Sequence, residues 1–331
     1  MTEPPTDCNR PRRSPLPELL AATALLAACA GPREFEPFPA ATSLSRTADL
    51  PAEWFGELAF VPVRLGDGPE RKFLLDTGAS VLLLDPRVAD ELGLERLGLD
   101  RERGGFVLGG ADASSTRVDE VVRIGELHCG PLLARDFDAI LLDTTPMRDV
   151  MGIELDGILP FTMFRDAVLA IDYPQRRVTV QAAAGESDAW LALEAMRLPH
   201  VVLPVADRRL PFLLDTGSTG AVTVPANAGL PLGGEPAETG RQQTIGGTLS
   251  IHEARLAASI DLGEHALDRP VVALGREERG AIGTDLLRHF RVEFDQPNRR
   301  VRFVADGPVP CPPSRSPGFG ALRGQQHWTI A

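Results

Sequence analysis

Two Asp residues stand in the same unusual context. Asp76 closes "KFLLD" and is followed by Thr77-Gly78, and Asp215 closes "PFLLD" and is followed by Thr216-Gly217. The hexapeptide Phe-Leu-Leu-Asp-Thr-Gly is therefore written twice, at 73–78 and 212–217. An apolar strand ending in Asp delivers a carboxyl to a buried place. Gly directly after Thr permits a tight turn and a close backbone approach. Buried carboxyls with raised pKa values do general acid–base chemistry. For either Asp alone the plainer role is a turn cap, because Asp favours such turns. Other chemistries have less support. The six His residues show no HExxH or paired spacing, and no GxSxG marks a nucleophilic Ser. His128 beside Cys129 has no partner at metal-ligand spacing and is assigned to packing.

The elements around the two Asp residues repeat in the same order. "VPV" at 61–63 precedes the first copy and "LPV" at 203–205 the second. "VLGG" at 107–110 answers to "TIGG" at 244–247, and "DGILPFTMF" at 156–164 to "GAIGTDLL" at 280–287. "IDYPQRRVTV" at 171–180 answers to "FDQPNRRVRF" at 294–303. A period this long is a duplicated lobe rather than a solenoid unit. Short β-like runs broken by Gly, Pro and Asp fill both halves. A short helix is expected over 86–94 and a hairpin over 106–118. Asp172 and Asp295, in the repeated Asp-x-Pro-x-Arg-Arg-Val, are assigned to hairpin turns. Asp156 is matched with Gly280 in the second copy, which argues against a symmetric role for it.

These residues resemble the aspartic proteases: the two-lobed pepsin-like form, with the compact lobes of retropepsins and their bacterial relatives. The resemblance covers about residues 55–305. It rests on "FLLDTGAS" with "DGILPFTMF" and on "FLLDTGST" with "GAIGTDLL". It implies an all-β fold with duplicated β-barrel-like lobes and a cleft between them. In it Asp76 and Asp215 share one proton and activate a water for peptide hydrolysis. Thr77 and Thr216 would bond across the lobe interface, with Gly78, Gly217 and Ser218 supporting the pair. The substrate is a peptide or protein, no cofactor or metal is required, and a monomer carries the whole site. The alternatives are a non-catalytic peptide-binding envelope lipoprotein that keeps the cleft, and a purely structural envelope protein.

The chain departs from the family pattern in three places. Ala79 follows the first Asp-Thr-Gly where Ser218 follows the second, so Asp215 is expected to ionise more readily than Asp76. Pro160 stands where the second lobe has Gly283, and distortion near Asp76 is expected because Pro fixes φ and lacks an N–H. Tyr173 is the only Tyr, so no tyrosine sits in a flap. The flap is expected from the 106–116 hairpin, with Phe106 or Leu108 over the substrate and a hinge at Gly109–Gly110.

Arg10, Arg12 and Arg13 precede the apolar run "LLAATALLAA" at 19–28. That run is too short to span a bilayer and suits a signal peptide. It leads into "LAAC" at 26–29, which resembles a bacterial lipobox and implies lipid on Cys29 in the cell envelope, facing the periplasm or exterior. The expected layout is a signal peptide at 1–28, a tether at 29–54, lobe one at 55–182, a linker at 183–197, lobe two at 198–306 and a Pro/Gly-rich tail at 307–331. Among 331 residues, 43% are hydrophobic, enough for a sizeable core, and the net charge is −12. That charge excludes nucleic acid as the expected partner. Cys129 and Cys311 are the cysteines left to pair in an oxidising compartment.

Overall fold

Each Asp-Thr-Gly copy ends a hairpin of two antiparallel strands. In the first half these are β1 (Leu58–Leu65) and β2 (Glu70–Asp76). Gly66, at φ +53°, takes the left-handed conformation that their tight turn requires. The computed structural model describes residues 35–98, 106–109, 115–118, 120–194, 197–244, 247–310 and 327–329. After β2 come β3 (Leu83–Leu84), a helix at Pro86–Glu91, β4 (Glu120–Cys129), β5 (Leu132–Leu141) and β6 (Gly157–Pro160). Asp85 caps that helix by accepting the Arg87 N–H at 2.9 Å, and Pro86 opens it. The strands pair in the order β5–β3–β6–β2–β1–β4, and β4 returns to β5, closing a six-stranded barrel.

Strand periodicity divides the apolar residues of this lobe between two sides. Phe73 and Leu75 of β2 enter the main core, which continues into the second half, while Leu74 joins a second cluster with Phe60, Leu83, Ile140 and Ile158. Met147 and Met151 of the helix Thr145–Met151 cover that second cluster, with Phe35 and Phe38 packed against it. Burial of each such large side chain contributes about 1.5–3 kcal/mol.

β7 (Val168–Asp172) and β8 (Arg177–Gln181) follow β6. The second half repeats the series with β9 (His200–Val205), β10 (Arg208–Leu214), β11 (Val222–Pro225), β12 (Gly247–Arg255), β13 (Val271–Gly275), β14 (Gly280–Ile282), β15 (Arg291–Asp295) and β16 (Arg300–Val304). Its order, β9–β10–β14–β11–β13–β12, copies the first barrel. The closure differs. β4 and β5 are continuous ten-residue strands. Their counterparts are interrupted, and the short strand Ile260–Leu262, beyond β12, reaches β9 at Val205↔Ile260.

A six-stranded sheet joins the lobes. At its centre β7 runs antiparallel to β15, with Ala170 opposite Glu293 and Asp172 opposite Arg291. β8 flanks β7 and β16 flanks β15. Equivalent strands thus exchange across an approximate two-fold axis. The turns predicted at the repeated Asp residues are present. Asp172 accepts the Gln175 N–H at 3.0 Å, and Asp295 accepts the Asn298 N–H at 3.3 Å.

The stretch expected as a tether differs over 35–54. Ala41–Leu44 pairs with β5, Ala48–Leu50 pairs with β8, and Glu53–Phe55 pairs with β1. Each occupies a strand edge whose backbone groups would otherwise be unpaired, and so few residues leave no periodicity to read. Part of the expected linker is also sheet: Leu191–Ala192 pairs with β16, and Trp190 lies under the guanidinium groups of Arg300 and Arg302 at 4.4 and 4.7 Å. Within the tail, His327–Thr329 forms a parallel strand beside Ala237–Thr244. The signal-peptide region, Cys29 and Cys311 lie outside the described residues. No helix among the described residues is long and apolar enough to cross a membrane.

Candidate active site

Burial and sheet register carry both Asp residues to the same place. β6 runs parallel to β2 with Gly157 opposite Phe73 and Pro160 opposite Asp76. β14 runs parallel to β10 with Gly280 opposite Phe212, and the Asp215 N–H donates to the Ile282 carbonyl at 2.8 Å. Glycine is needed at 157 and 280 because the facing Phe rings fill the space. A Cβ would lie 2.4 Å from the Phe73 ring in one case and 2.5 Å from the Phe212 ring in the other. This register corrects the match made for Asp156. Gly157 corresponds to Gly280, so the place of Asp156 is held by Arg279. The shift arose because the neighbouring motif residues differ in the two copies. Asp156 is structural: its carboxylate accepts the Lys72 N–H at 2.9 Å and pairs with Arg87 at 2.6 Å.

The two Asp-Thr-Gly loops interlock. Thr77 Oγ1 donates to the Leu214 carbonyl at 2.6 Å and accepts the Thr216 N–H at 3.1 Å. Thr216 Oγ1 donates to the Leu75 carbonyl at 2.9 Å and accepts the Thr77 N–H at 3.0 Å. Each threonine thereby bonds the strand end of the opposite lobe, and both are buried. The glycines complete the fit. A Cβ on Gly78 would stand 2.7 Å from Asp215 Cγ, and one on Gly217 would stand 2.4 Å from Asp76 Cγ. Each loop therefore leaves room for the other's carboxyl only because its third residue has no side chain.

Within its own loop each carboxyl is held alike. Asp76 Oδ1 accepts the Gly78 N–H at 2.7 Å, and Asp215 Oδ1 accepts the Gly217 N–H at 2.9 Å. The N–H groups of Ala79 and Ser218 add a second hold on their respective Asp residues. Oδ2 of each is buried with no donor among the described residues. Each carboxyl stands beside the opposite loop's glycine, and neither is exposed.

This environment raises both pKa values. Asp76 is pushed well above the carboxylate range, first by burial and then by the Asp215 charge, with the Gly78 N–H opposing. Burial lifts Asp215 to about 6, against the stabilising Gly217 N–H, the contact with Asp76 and the Ser218 N–H. Two carboxyls so placed resist carrying two charges at once and titrate as a pair.

Pro160 produces no mismatch between the loops. The Phe161 N–H donates to the Ala79 carbonyl at 3.1 Å, as the Thr284 N–H donates to that of Ser218 at 2.7 Å. The Gly283 N–H donates to the Ala221 carbonyl at 3.0 Å, a bond Pro160 has no hydrogen to make, and the Leu82 carbonyl accepts the Ile140 N–H at 2.9 Å. Distortion was expected because Pro lacks that hydrogen, and a neighbouring strand supplies one. Ser218 Oγ accepts the Gly220 N–H at 3.4 Å. The role of Thr284 was not singled out from the sequence: its hydroxyl also donates to the Ser218 carbonyl, at 2.9 Å. Its only sequence signal was its place directly after Gly283.

The backbones of Phe106–Gly109 and Ser115–Val118 pair antiparallel as a separate two-stranded sheet. The side chains of Phe106 and Leu108, and all of Gly110, lie outside the described residues, and so does their expected covering of substrate. Cys129 is buried and free, its thiol pushed up to about 12 by desolvation.

Residues 61–161 match the family described as aspartyl protease. The match runs from β1 through the Asp76 loop to Phe161, which is most of the first lobe's barrel. Asp215 lies beyond it, and its likeness to Asp76 is carried by the internal repeat and the shared geometry. No curated protein matches the chain.

Proposed function

We propose that the protein is an aspartic-type endopeptidase whose dyad is Asp76 and Asp215. The observation that carries this reading is the reciprocal fit of the loops: each carboxyl has one oxygen held by its own loop and the other without a donor among the described residues, and each stands beside the opposite loop's glycine. Two adjacent buried carboxyls hold one proton more easily than two charges. Asp215, ionised, takes a proton from a water as the water oxygen attacks the peptide carbonyl carbon. Asp76 gives its proton to the carbonyl oxygen. In the reverse transfer Asp76 recovers a proton from the gem-diol, Asp215 passes its own to the amide nitrogen, and the C–N bond breaks. The reading extends to a lipid anchor at Cys29 and an envelope location, supported by the lipobox-like "LAAC" and the preceding apolar run.

Digestion of an unfolded polypeptide at about pH 4–6, where one carboxyl of such a pair is ionised, tests the enzyme reading. Wild type cleaves, while Asp76→Asn and Asp215→Asn do not. Saturable binding of the polypeptide without cleavage by wild type would replace it with the peptide-binding alternative. Mass spectrometry of the mature N-terminus tests the anchor: a diacylated Cys29 is expected, and an unmodified chain removes it.

A further inference from the structure

We infer that Gln296, in the second lobe's β15–β16 hairpin, is a positioning residue for the Asp76 loop of the first lobe. The inference rests on the proteolytic reading of the dyad. Gln296 is only 2% exposed, and its Nε2 donates to the Phe161 carbonyl at 2.7 Å. A carbonyl can only accept, so the amide orientation is fixed. Oε1 has no partner among the described residues. A buried amide left half unpaired is unfavourable, and an apolar side chain would pack there without that cost. Tyr173, at the matching place of the β7–β8 hairpin, packs edge-on against Trp54. The hairpin holding Gln296 is itself locked, because the Asp295 carboxylate accepts from Asn298 Nδ2 at 2.9 Å and from Arg300 Nε at 2.7 Å.

From Phe161 a short chain of bonds leads to the dyad. The Phe161 N–H holds the Ala79 carbonyl at 3.1 Å, and Thr162 Oγ1 holds the Ser80 carbonyl at 2.9 Å. These two residues form a clamp over the turn that follows Asp76, and the Ala79 N–H in that turn helps hold the ionised Asp76. The second lobe builds its clamp differently. Thr284 holds the Ser218 carbonyl with both its N–H and its hydroxyl, and the Arg288 N–H takes the Thr284 carbonyl at 2.9 Å in the helical manner. Phe161 has no hydroxyl to double its hold and opens a 3₁₀ turn instead of an α-helix. Its carbonyl is anchored from the opposite lobe, by Gln296. The position of Asp76 relative to Asp215 is thereby tied to a residue whose side chain bonds neither carboxyl.

The variant Gln296→Met keeps length and volume and removes the donor. kcat and KM on a fluorogenic peptide, and the dyad titration followed by carboxyl ¹³C NMR, are compared with wild type. The expected result is a fall in kcat of about tenfold, as for slight misplacement of a catalytic group, with KM held within about twofold. The higher dyad midpoint also moves upward, because a loosened turn holds ionised Asp76 less well. Gln296→Glu supplies a second test. Its acid form can donate to Phe161, so its activity relative to wild type is retained at low pH and falls as the carboxyl, held up by burial, ionises. Wild-type kcat and dyad midpoints in Gln296→Met overturn the inference. If that variant does not fold, a pH-independent ratio for Gln296→Glu overturns it. If wild type itself cleaves nothing, the proteolytic reading fails, and the dyad midpoint in Gln296→Met still decides the role of Gln296.

Discussion

The two lobes share a plan but differ at many of the places that support the Asp-Thr-Gly loops. The first closes its barrel with unbroken ten-residue strands, and the second closes through a short strand beyond an interruption. Pro160 and Phe161 correspond to Gly283 and Thr284, Ala79 to Ser218, and Tyr173 to Gln296. The loops nevertheless match bond for bond, from the Gly78 and Gly217 N–H groups to the crossed threonines. Equality is kept where the two Asp-Thr-Gly loops touch each other and at Gly157 and Gly280, where a Phe ring fills the space. Elsewhere each lobe can supply the same support from a different residue.

The sharpest way to break the equality is to fill one of the glycine gaps. Gly217→Ala would press a methyl group into Asp76, and Gly78→Ala into Asp215. Either is expected to lower kcat on the order of a hundredfold or more, since displacement of about 1 Å suffices for that. Steady-state kinetics checks it, and comparable losses in the two variants would show that the halves are equivalent.

Removing one crossed hydroxyl comes next. Thr77→Val and Thr216→Val each take away a donor and an acceptor at the buried interface. Each should cost about 2–3 kcal/mol, because an opposing N–H and carbonyl lose their partners. Urea denaturation measures this. Unequal losses would place more of the lobe coupling on one side.

The dyad itself is expected to weaken the fold at neutral pH. Its carboxyls have folded pKa values above their unfolded ones, Asp215 at about 6 against 3.8. The native state therefore binds protons more tightly. The contribution to stability is full below about pH 4 and is lost as pH rises through about 6. Asp215→Asn should accordingly stabilise the protein by on the order of 2 kcal/mol at pH 7, with the gain vanishing toward pH 4. Thermal unfolding across that range checks the sign.

The smallest effect concerns Ala79. A hydroxyl there would stabilise ionised Asp76, which the proposed mechanism uses as the proton donor. Ala79→Ser should move the alkaline limb of the rate profile downward by about half a pH unit. An unmoved limb would mean that Ala79 and Ser218 do not differentiate the carboxyls.

Much of the site was legible in the sequence because it lies in contiguous residues. Apolar runs ending in Asp-Thr-Gly specify buried strand ends, and their duplication specifies two of them. The support was less legible because it comes from residues remote in sequence and unequal between copies. The role of Thr284 depends on the Ser218 carbonyl it reaches, and that of Gln296 on Phe161. Neither has a counterpart of the same type in the other half. The edge strands at 41–55 were missed for another reason. They exist through pairing with barrel strands already formed, and runs of three or four residues carry too little alternation to show it.

A kinetic cycle over the dyad tests the central claim most directly: Asp76→Asn, Asp215→Asn and the double variant, assayed on one peptide at the pH of the wild-type optimum. Groups that act as one unit are lost together. The account predicts that each single variant loses on the order of 10³-fold or more in kcat and that the double variant is no slower than either. Substantial turnover in one single variant, or losses that multiply in the double, would contradict it.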